Sequence, residues 1–338
     1  MRCSSSSTRS SCSRSEPPPR RPPRARRRLR APALAVAVAA SFLPLAGCGP
    51  DPQSGSAGRT AAPEPGGTLT VAVADQVGTL DPLRVDDRSE RLASRQVFEP
   101  LRTWQTGPFG DTRRRPGVAR SIRPSPDETA WTVTLRHGVS FQNGEPLDAD
   151  AVLLNVDRWT SSPLGRTLLP GLTAADSPRP GRVRFILDRP VAGFATDLAD
   201  PHLGLVAPGP LIGLGGGSLR LDAAGTGPFE FRGREGGSVL LARNAEWWGT
   251  DLGLGPGIDQ VELGPEPDAG NRLAALRSGT VEIADDLARG AARRIAAAPL
   301  LTTVRGSAAV VGIERSVRGI DSAAAAQSLA DVWLTDLR

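Results

Sequence analysis

Trp131-Thr132-Val133-Thr134-Leu135-Arg136-His137-Gly138-Val139-Ser140-Phe141, followed by Gln142-Asn143-Gly144-Glu145-Pro146-Leu147-Asp148-Ala149, reads as a strand, a turn and the opening of a helix. Apolar residues at 131, 133 and 135 alternate with threonines, the period of a half-buried strand. Asn143-Gly144 and Pro146 are turn residues, and Asp148 is placed to cap the helix that follows. Beyond the cap, Val152, Leu153, Val156 and Trp159 recur at helical spacing.

Working outward, the same alternation returns at Leu69, Val71 and Val73 and at Val183, Phe185 and Leu187. A second helix is expected through Leu273 and Leu276 toward Gly279, a residue suited to a left-handed C-terminal cap. A strand at Val281-Glu282-Ile283 should follow it. Strands and helices interleave irregularly, without an internal repeat, so the fold class is α/β.

The N-terminus decides the compartment. Arg26-Arg27-Arg28-Leu29-Arg30 precedes the apolar run Ala31–Leu45, and Leu45-Ala46-Gly47-Cys48 follows. This is the pattern of an export signal with a lipoprotein cleavage box, with Cys48 as the lipid-carrying residue. The run is rich in alanine, is broken by Pro32 and Pro44, and is shorter than the roughly 20 residues of a spanning helix, so it reads as a leader. The arginine pairs leave a twin-arginine export route open. Residues 49–67 are rich in Gly, Pro, Ser and Ala, too poor in apolar surface to order themselves, and read as a tether.

Charge follows the same division. Residues 1–47 hold ten Arg and one Glu, a net +9, so the remainder of a chain with formal charge +5 carries −4. Overall basicity is therefore a property of the leader, and a nucleic-acid partner is not expected. The Arg113-Arg114-Arg115 and Arg293-Arg294 clusters read as solvated faces. Cys3 and Cys12 fall in the leader and Cys48 is the lipid site, which leaves no pair for a disulfide within a processed chain.

Catalytic patterns are not found. His137 and His202 are the two histidines, and neither has a partner at metal-ligand spacing, so no metal and no cofactor are expected. The sequence has no lysine, which removes a phosphate-loop lysine and a Schiff base, and no Gly-x-Ser-x-Gly elbow is present. Glu282, Asp285 and Asp286 cluster, but acids gather at helix starts without binding metal. The chain is not read as an enzyme.

Several motifs in order carry a family resemblance. Gly67-Thr68-Leu69-Thr70-Val71 leads to Leu80-Asp81-Pro82, and Val97-Phe98-Glu99-Pro100-Leu101 follows. The stretch 131–149 comes next, then Gly225-Thr226-Gly227-Pro228-Phe229 and Arg243-Asn244-Ala245-Glu246-Trp247-Trp248. From Gly67 to about Ala288 this resembles the family 5 extracellular solute-binding proteins, which deliver oligopeptides, dipeptides and nickel chelates to ABC importers. The resemblance implies a periplasmic-binding-protein type II-like fold of two lobes that close on a small solute, a monomer that presents the closed form to permease subunits. In Gly225–Phe229 the glycines are expected to supply positive φ or close backbone approach.

The pattern departs from the family after Ile258-Asp259-Gln260-Val261-Glu262, where members place most of a second lobe and only residues 258–338 remain here. Ser316–Gly319 and Ala330–Leu334 resemble the family's C-terminal return strand. The expected organisation is a signal at 1–47, a tether at 48–67, a nearly complete lobe I at 68–257, a much reduced remnant of lobe II at 258–309, and a return to lobe I at 310–338. The alternative is a degenerate, non-transporting surface lipoprotein. The aspartate that holds a peptide's ammonium in the family falls in the missing part. In the nickel-chelate branch first-lobe arginines face ligand carboxylates, and Arg166 aligns near one such position and Gly204 near the other. Arg84 and Arg166 are the candidate ligand contacts, suited to charge-assisted hydrogen bonds with a carboxylate. Trp104 and Trp159 are expected in the core.

Overall fold

A computed structural model describes residues 66–106, 112–115, 117–212, 214, 217–252, 257–288, 290–291, 301–305 and 310–314. Cys48, the leader, the tether as far as residue 65, Arg293-Arg294, Ser316–Gly319 and Ala330–Leu334 lie outside the described residues, as do the side chains of Trp104 and Arg113–Arg115.

The strands are β1 (Thr68–Val73), β2 (Thr103–Thr106), β3 (Thr112–Arg115), β4 (Ala119–Pro124), β5 (Ala130–Leu135), β6 (Leu172–Arg179), β7 (Arg182–Leu187), β8 (Phe229–Glu235), β9 (Ser238–Arg243), β10 (Gln260–Pro265), β11 (Ile283–Leu287), β12 (Leu301–Arg305) and β13 (Val310–Glu314). The helices are α1 (Arg88–Val97), α2 (Ala149–Ser161), α3 (Pro163–Leu168), α4 (Phe194–Asp197), α5 (Pro208–Leu211) and α6 (Ala269–Ser278). They build a seven-stranded sheet in the order β12-β13-β11-β1-β10-β9-β8, a four-stranded sheet in the order β4-β5-β7-β6, and the ribbon β2-β3.

The centre of the large sheet is β1, parallel to β10 from Thr68↔Gln260 to Val73↔Pro265 and parallel to β11 at Val71↔Ile283. A central strand is covered on both faces, and β1 shows it. Leu69, Val71 and Val73 enter the core shared with α1, while Ala72 points to Leu273 and Leu276 of α6. Helix α1 is capped by Asp87, whose carboxylate accepts from Glu90 N.

Residues 258–287 belong to the stretch that the sequence assigns to a remnant second lobe, 258–309. Here β10 and β11 flank β1 within a single sheet, and α6 packs on that sheet. Both strands fill the hydrogen-bonding edges that β1 would otherwise leave open. The strand expected at 281 begins at Ile283. Glu282, just before it, accepts a hydrogen bond from Thr70 N at 2.7 Å.

The second core lies between the four-stranded sheet and α2. Val133, Leu135, Val183 and Phe185 face Val152, Val156 and Trp159, all fully buried or nearly so. Asp148 caps α2 as expected, accepting from Ala151 N at 2.9 Å. Trp159 is a core residue.

The two cores meet at Gly225–Phe229. Gln142 receives Gly225 N at its Oε1 (3.0 Å) and donates through Nε2 to the carbonyls of Gly227 (3.2 Å) and Phe229 (2.7 Å). An added Cβ on Gly225 would stand 2.0 Å from the Val97 carbonyl oxygen, and one on Gly227 would stand 2.3 Å from that of Gln96. Neither glycine has positive φ, so close approach alone is what they supply. Beside them, Glu99 accepts both indole N–H groups, from Trp247 at 3.2 Å and Trp248 at 2.8 Å. Arg136 stacks 5.0 Å over the Trp248 ring.

Gly225→Ala should therefore destabilise by about 2–3 kcal/mol through overpacking. Gly233→Ala, at a β8 position with nothing within 4 Å, should change stability by less than about 0.5 kcal/mol. Urea unfolding of both variants checks the contrast.

Candidate functional site

A cleft of roughly 640 Å³ opens where the loop after β1, the end of α2, the start of α3 and Leu211, Leu214 and Gly217 converge. Its wall is formed by Leu83, Leu154, Leu164, Leu211 and Leu214, with Arg84, Asp157, Arg158, Ser161 and Ser162 as polar groups. A mainly apolar hollow with a few placed polar groups is the usual form of a small-molecule site.

Asp81 organises it. Its side chain is wholly buried, and its Oδ1 accepts from Leu83 N at 3.1 Å and from Arg158 Nη2 at 2.5 Å. Its Oδ2 accepts from Leu219 N at 3.3 Å and lies 3.7 Å from Arg84 Nε. One carboxylate thus ties β1's loop to α2 and to the chain at 219. A buried carboxylate without such partners would be strongly disfavoured.

Arg158 is the group that sequence reasoning missed. It lies in the last turn of α2, four-fifths or more buried, and lines the cleft. One end of its guanidinium is held by Asp81, while Nη1 is enclosed and has no hydrogen-bond acceptor among the described residues. Helical spacing gives it away only in part: Asp157 and Arg158 interrupt the apolar face between Val156 and Trp159. Its partner is 77 residues distant in the chain.

Of the two cations expected from sequence, Arg84 lines the cleft and donates through Nη2 to the Gly217 carbonyl at 3.4 Å, with its side chain about half exposed. Arg166 does not line it. It lies on α3, exposed, with Nη1 donating to the Thr160 carbonyl at 2.9 Å, because the α2–α3 turn directs that face of α3 to solvent. Arg158 rather than Arg166 is the second cation of the cleft. Gly204 is buried, and a Cβ there would meet Phe98 at 2.8 Å and Pro82 at 3.0 Å, so it packs the floor of the loop and offers no side chain.

The acidic residues are already employed. Asp285 receives Arg88 through Nε at 2.6 Å and Nη2 at 2.8 Å. Buried Arg272 donates to the carbonyls of Glu266, Pro267, Asp285 and Asp286, between 2.6 and 2.9 Å. Asp86, Asp87 and Glu90 converge within 4.8 Å, but Asp87 caps α1 and Glu90 accepts the amides of Gly78 and Thr79. His202 faces Asp200 at 2.8 Å, and His137 is exposed. No described helix is long and apolar enough to cross a membrane.

Residues 114–315 match the model of the bacterial extracellular solute-binding proteins, family 5 Middle. A glutathione-binding protein, GsiB of Escherichia coli O1:K1, is 27% identical over 224 residues, covering 64% of this chain and 41% of that protein. The chain thus spans under half the length of the curated relatives it matches. Among solved structures, AgaA of A. tumefaciens R10 in complex with agropinic acid superposes with a TM-score of 0.63 at 25% identity, covering 71% of this chain and 48% of that one. DppA of Helicobacter pylori in complex with the peptide STSA gives a TM-score of 0.60 at 22% identity, with 72% and 51% coverage, and shares the fold.

Asp81→Asn should cost about 3 kcal/mol, since it removes the counter-charge of a largely buried arginine. Arg84→Gln, at a half-exposed position, should cost less than about 1 kcal/mol. Chemical denaturation of the two variants in parallel checks the difference.

Proposed function

Because this chain belongs to the bacterial extracellular solute-binding proteins of family 5, we propose that it captures a small peptide or a metal chelate and delivers it to the permease of an ABC importer. We infer further that Cys48 anchors it by lipid to the outer face of the cell membrane, behind the 48–67 tether, and that it acts as a monomer. Within that reading Arg84 and Arg158 contact the solute.

The observation that carries the proposal is the enclosed Nη1 of Arg158, a charged donor without an acceptor on the wall of an apolar cleft. An unpaired buried donor is unfavourable, so a small movement of the cleft wall that opened Nη1 to an anionic group of a bound solute would be favoured. Peptides and glutathione carry such carboxylates, as do chelators of nickel, and the leucines of the wall suit an apolar body. A relative described as glutathione-binding and solved neighbours bound to a peptide and to agropinic acid support this ligand class.

The second reading is a surface lipoprotein that has lost transport.

A thermal melt of the full chain with glutathione, dipeptides, oligopeptides and nickel–histidine separates the two readings. At about 100 times Kd a ligand specific for the folded state adds about 2.7 kcal/mol of stability, a rise of several degrees. A cooperative melt that no member of this panel shifts supports the degenerate reading. Arg158→Gln should weaken whichever ligand binds by about 10- to 100-fold, measured by titration calorimetry. Cys48→Ser should move the protein from the membrane pellet to the soluble fraction, read by fractionation and immunoblot.

A further inference from the structure

The outer face of the four-stranded sheet has a composition that neither packing nor the solute cleft requires. Its inner face carries the buried Val133, Leu135, Val183 and Phe185. Alternate residues point outward, and cross-strand registers place them in two rows. One row runs Arg123, Thr132, Arg184, Asp176 across β4, β5, β7 and β6. The next runs Ser121, Thr134, Arg182, Arg179. Arg179 and Arg182 flank the Pro180-Gly181 turn, so they stand at a hairpin tip.

All four arginines are exposed, and these rows contain a single carboxylate, Asp176. Arg184 pairs with it through Nε at 2.9 Å and through Nη2. That hydrogen bond holds the Asp176 carboxyl below its ordinary range, so it stays ionised and offsets one cation. Arg123, Arg179 and Arg182 have no side-chain hydrogen bond or ion pair among the described residues. Elsewhere Arg189, Arg220 and Arg243 each face a carboxylate, on Asp188, Asp222 and Asp259, while exposed Arg120, Arg166 and Arg277 face none among the described residues and lie outside these two rows. The three unpaired cations stand out further because residues 48–338 carry a net −4 once the +9 of residues 1–47 is set against the whole chain's +5.

A flat, arginine-bearing face with small hydroxyl side chains between the cations suits a plane of phosphates, since each guanidinium offers a fork of donors to a phosphate. We propose that the β4-β5-β7-β6 face docks on the anionic phospholipid headgroups of the membrane. The choice of a membrane surface rests on the extracytoplasmic, membrane-tethered location proposed above, where nucleic acid is not the available polyanion.

Because residues 1–47 carry ten arginines, bulk vesicle binding by the full chain would not identify this face. Phenylglyoxal modification, read residue by residue by mass spectrometry, does. With phosphatidylglycerol/phosphatidylcholine vesicles at ~0.05 M salt, Arg123, Arg179 and Arg182 should be modified several-fold more slowly than in pure phosphatidylcholine, while Arg220 is unchanged; the protection should vanish near ~0.5 M salt, where charge screening is strong. Each arginine at an anionic leaflet adds about fivefold to partitioning, so a variant with Arg123, Arg179, Arg182 and Arg184 all changed to Gln, compared with the unchanged chain that carries the same residues 1–47, should bind these vesicles less while melting at the wild-type temperature. Unchanged reactivity of the three arginines on anionic vesicles would overturn the proposal. So would equal protection by inorganic phosphate alone, which would mark a site for free anions. A chain that shifts its melt with peptide but shows no such protection would lose this inference and keep the solute reading.

Discussion

A wholly buried carboxylate, that of Asp81, fixes the part of the molecule on which the cleft depends. It lies at the end of the loop leaving the central strand and receives hydrogen bonds from that loop, from Arg158 on α2 and from the chain at Leu219. Burial of a lone charge would be costly, so the three partners are required together. Their convergence joins the core beneath the seven-stranded sheet to the core beneath the four-stranded sheet. It also leaves Arg158 with one half of its guanidinium committed and the other half enclosed beside the cleft.

The same economy appears at the second junction. Gly225 and Gly227 let the chain touch the carbonyls that end α1, and Gln142 reaches across to bond both sides of that turn. Glu99 gathers two indole N–H groups in the same region. Each junction satisfies backbone or aromatic donors that burial would otherwise leave without partners. The cleft loop is therefore bordered by hydrogen-bonded packing on both sides, which would hold Arg84 and Arg158 in place for the proposed solute.

Local features were legible in the sequence. The alternation at 131–135 and 183–187, the Asp148 cap and the left-handed Gly279 all have causes within a few residues, and the structure places each as read. Long-range pairing was not. Periodicity cannot say that β10 and β11, 187 or more residues further on, will flank β1. Gly225 and Gly227 were recognised as special, but only the carbonyls of Val97 and Gln96 show that contact distance, not positive φ, is the reason. Arg84, beside the Leu80-Asp81-Pro82 loop, lines the cleft. Arg158 is not legible as a cleft residue in the sequence, because the aspartate that holds it lies 77 residues away, and Arg166, the other candidate, faces solvent.

The most direct measurement is a crystal structure of the full-length protein grown with glutathione or with whichever dipeptide or nickel–histidine chelate raises its melting temperature most. The account predicts a carboxylate of that ligand within hydrogen-bond distance of Arg158 Nη1, with Arg84 turned toward it and the Asp81–Arg158 pair intact. A ligand seated elsewhere in the molecule, with the cleft filled only by solvent, would contradict it.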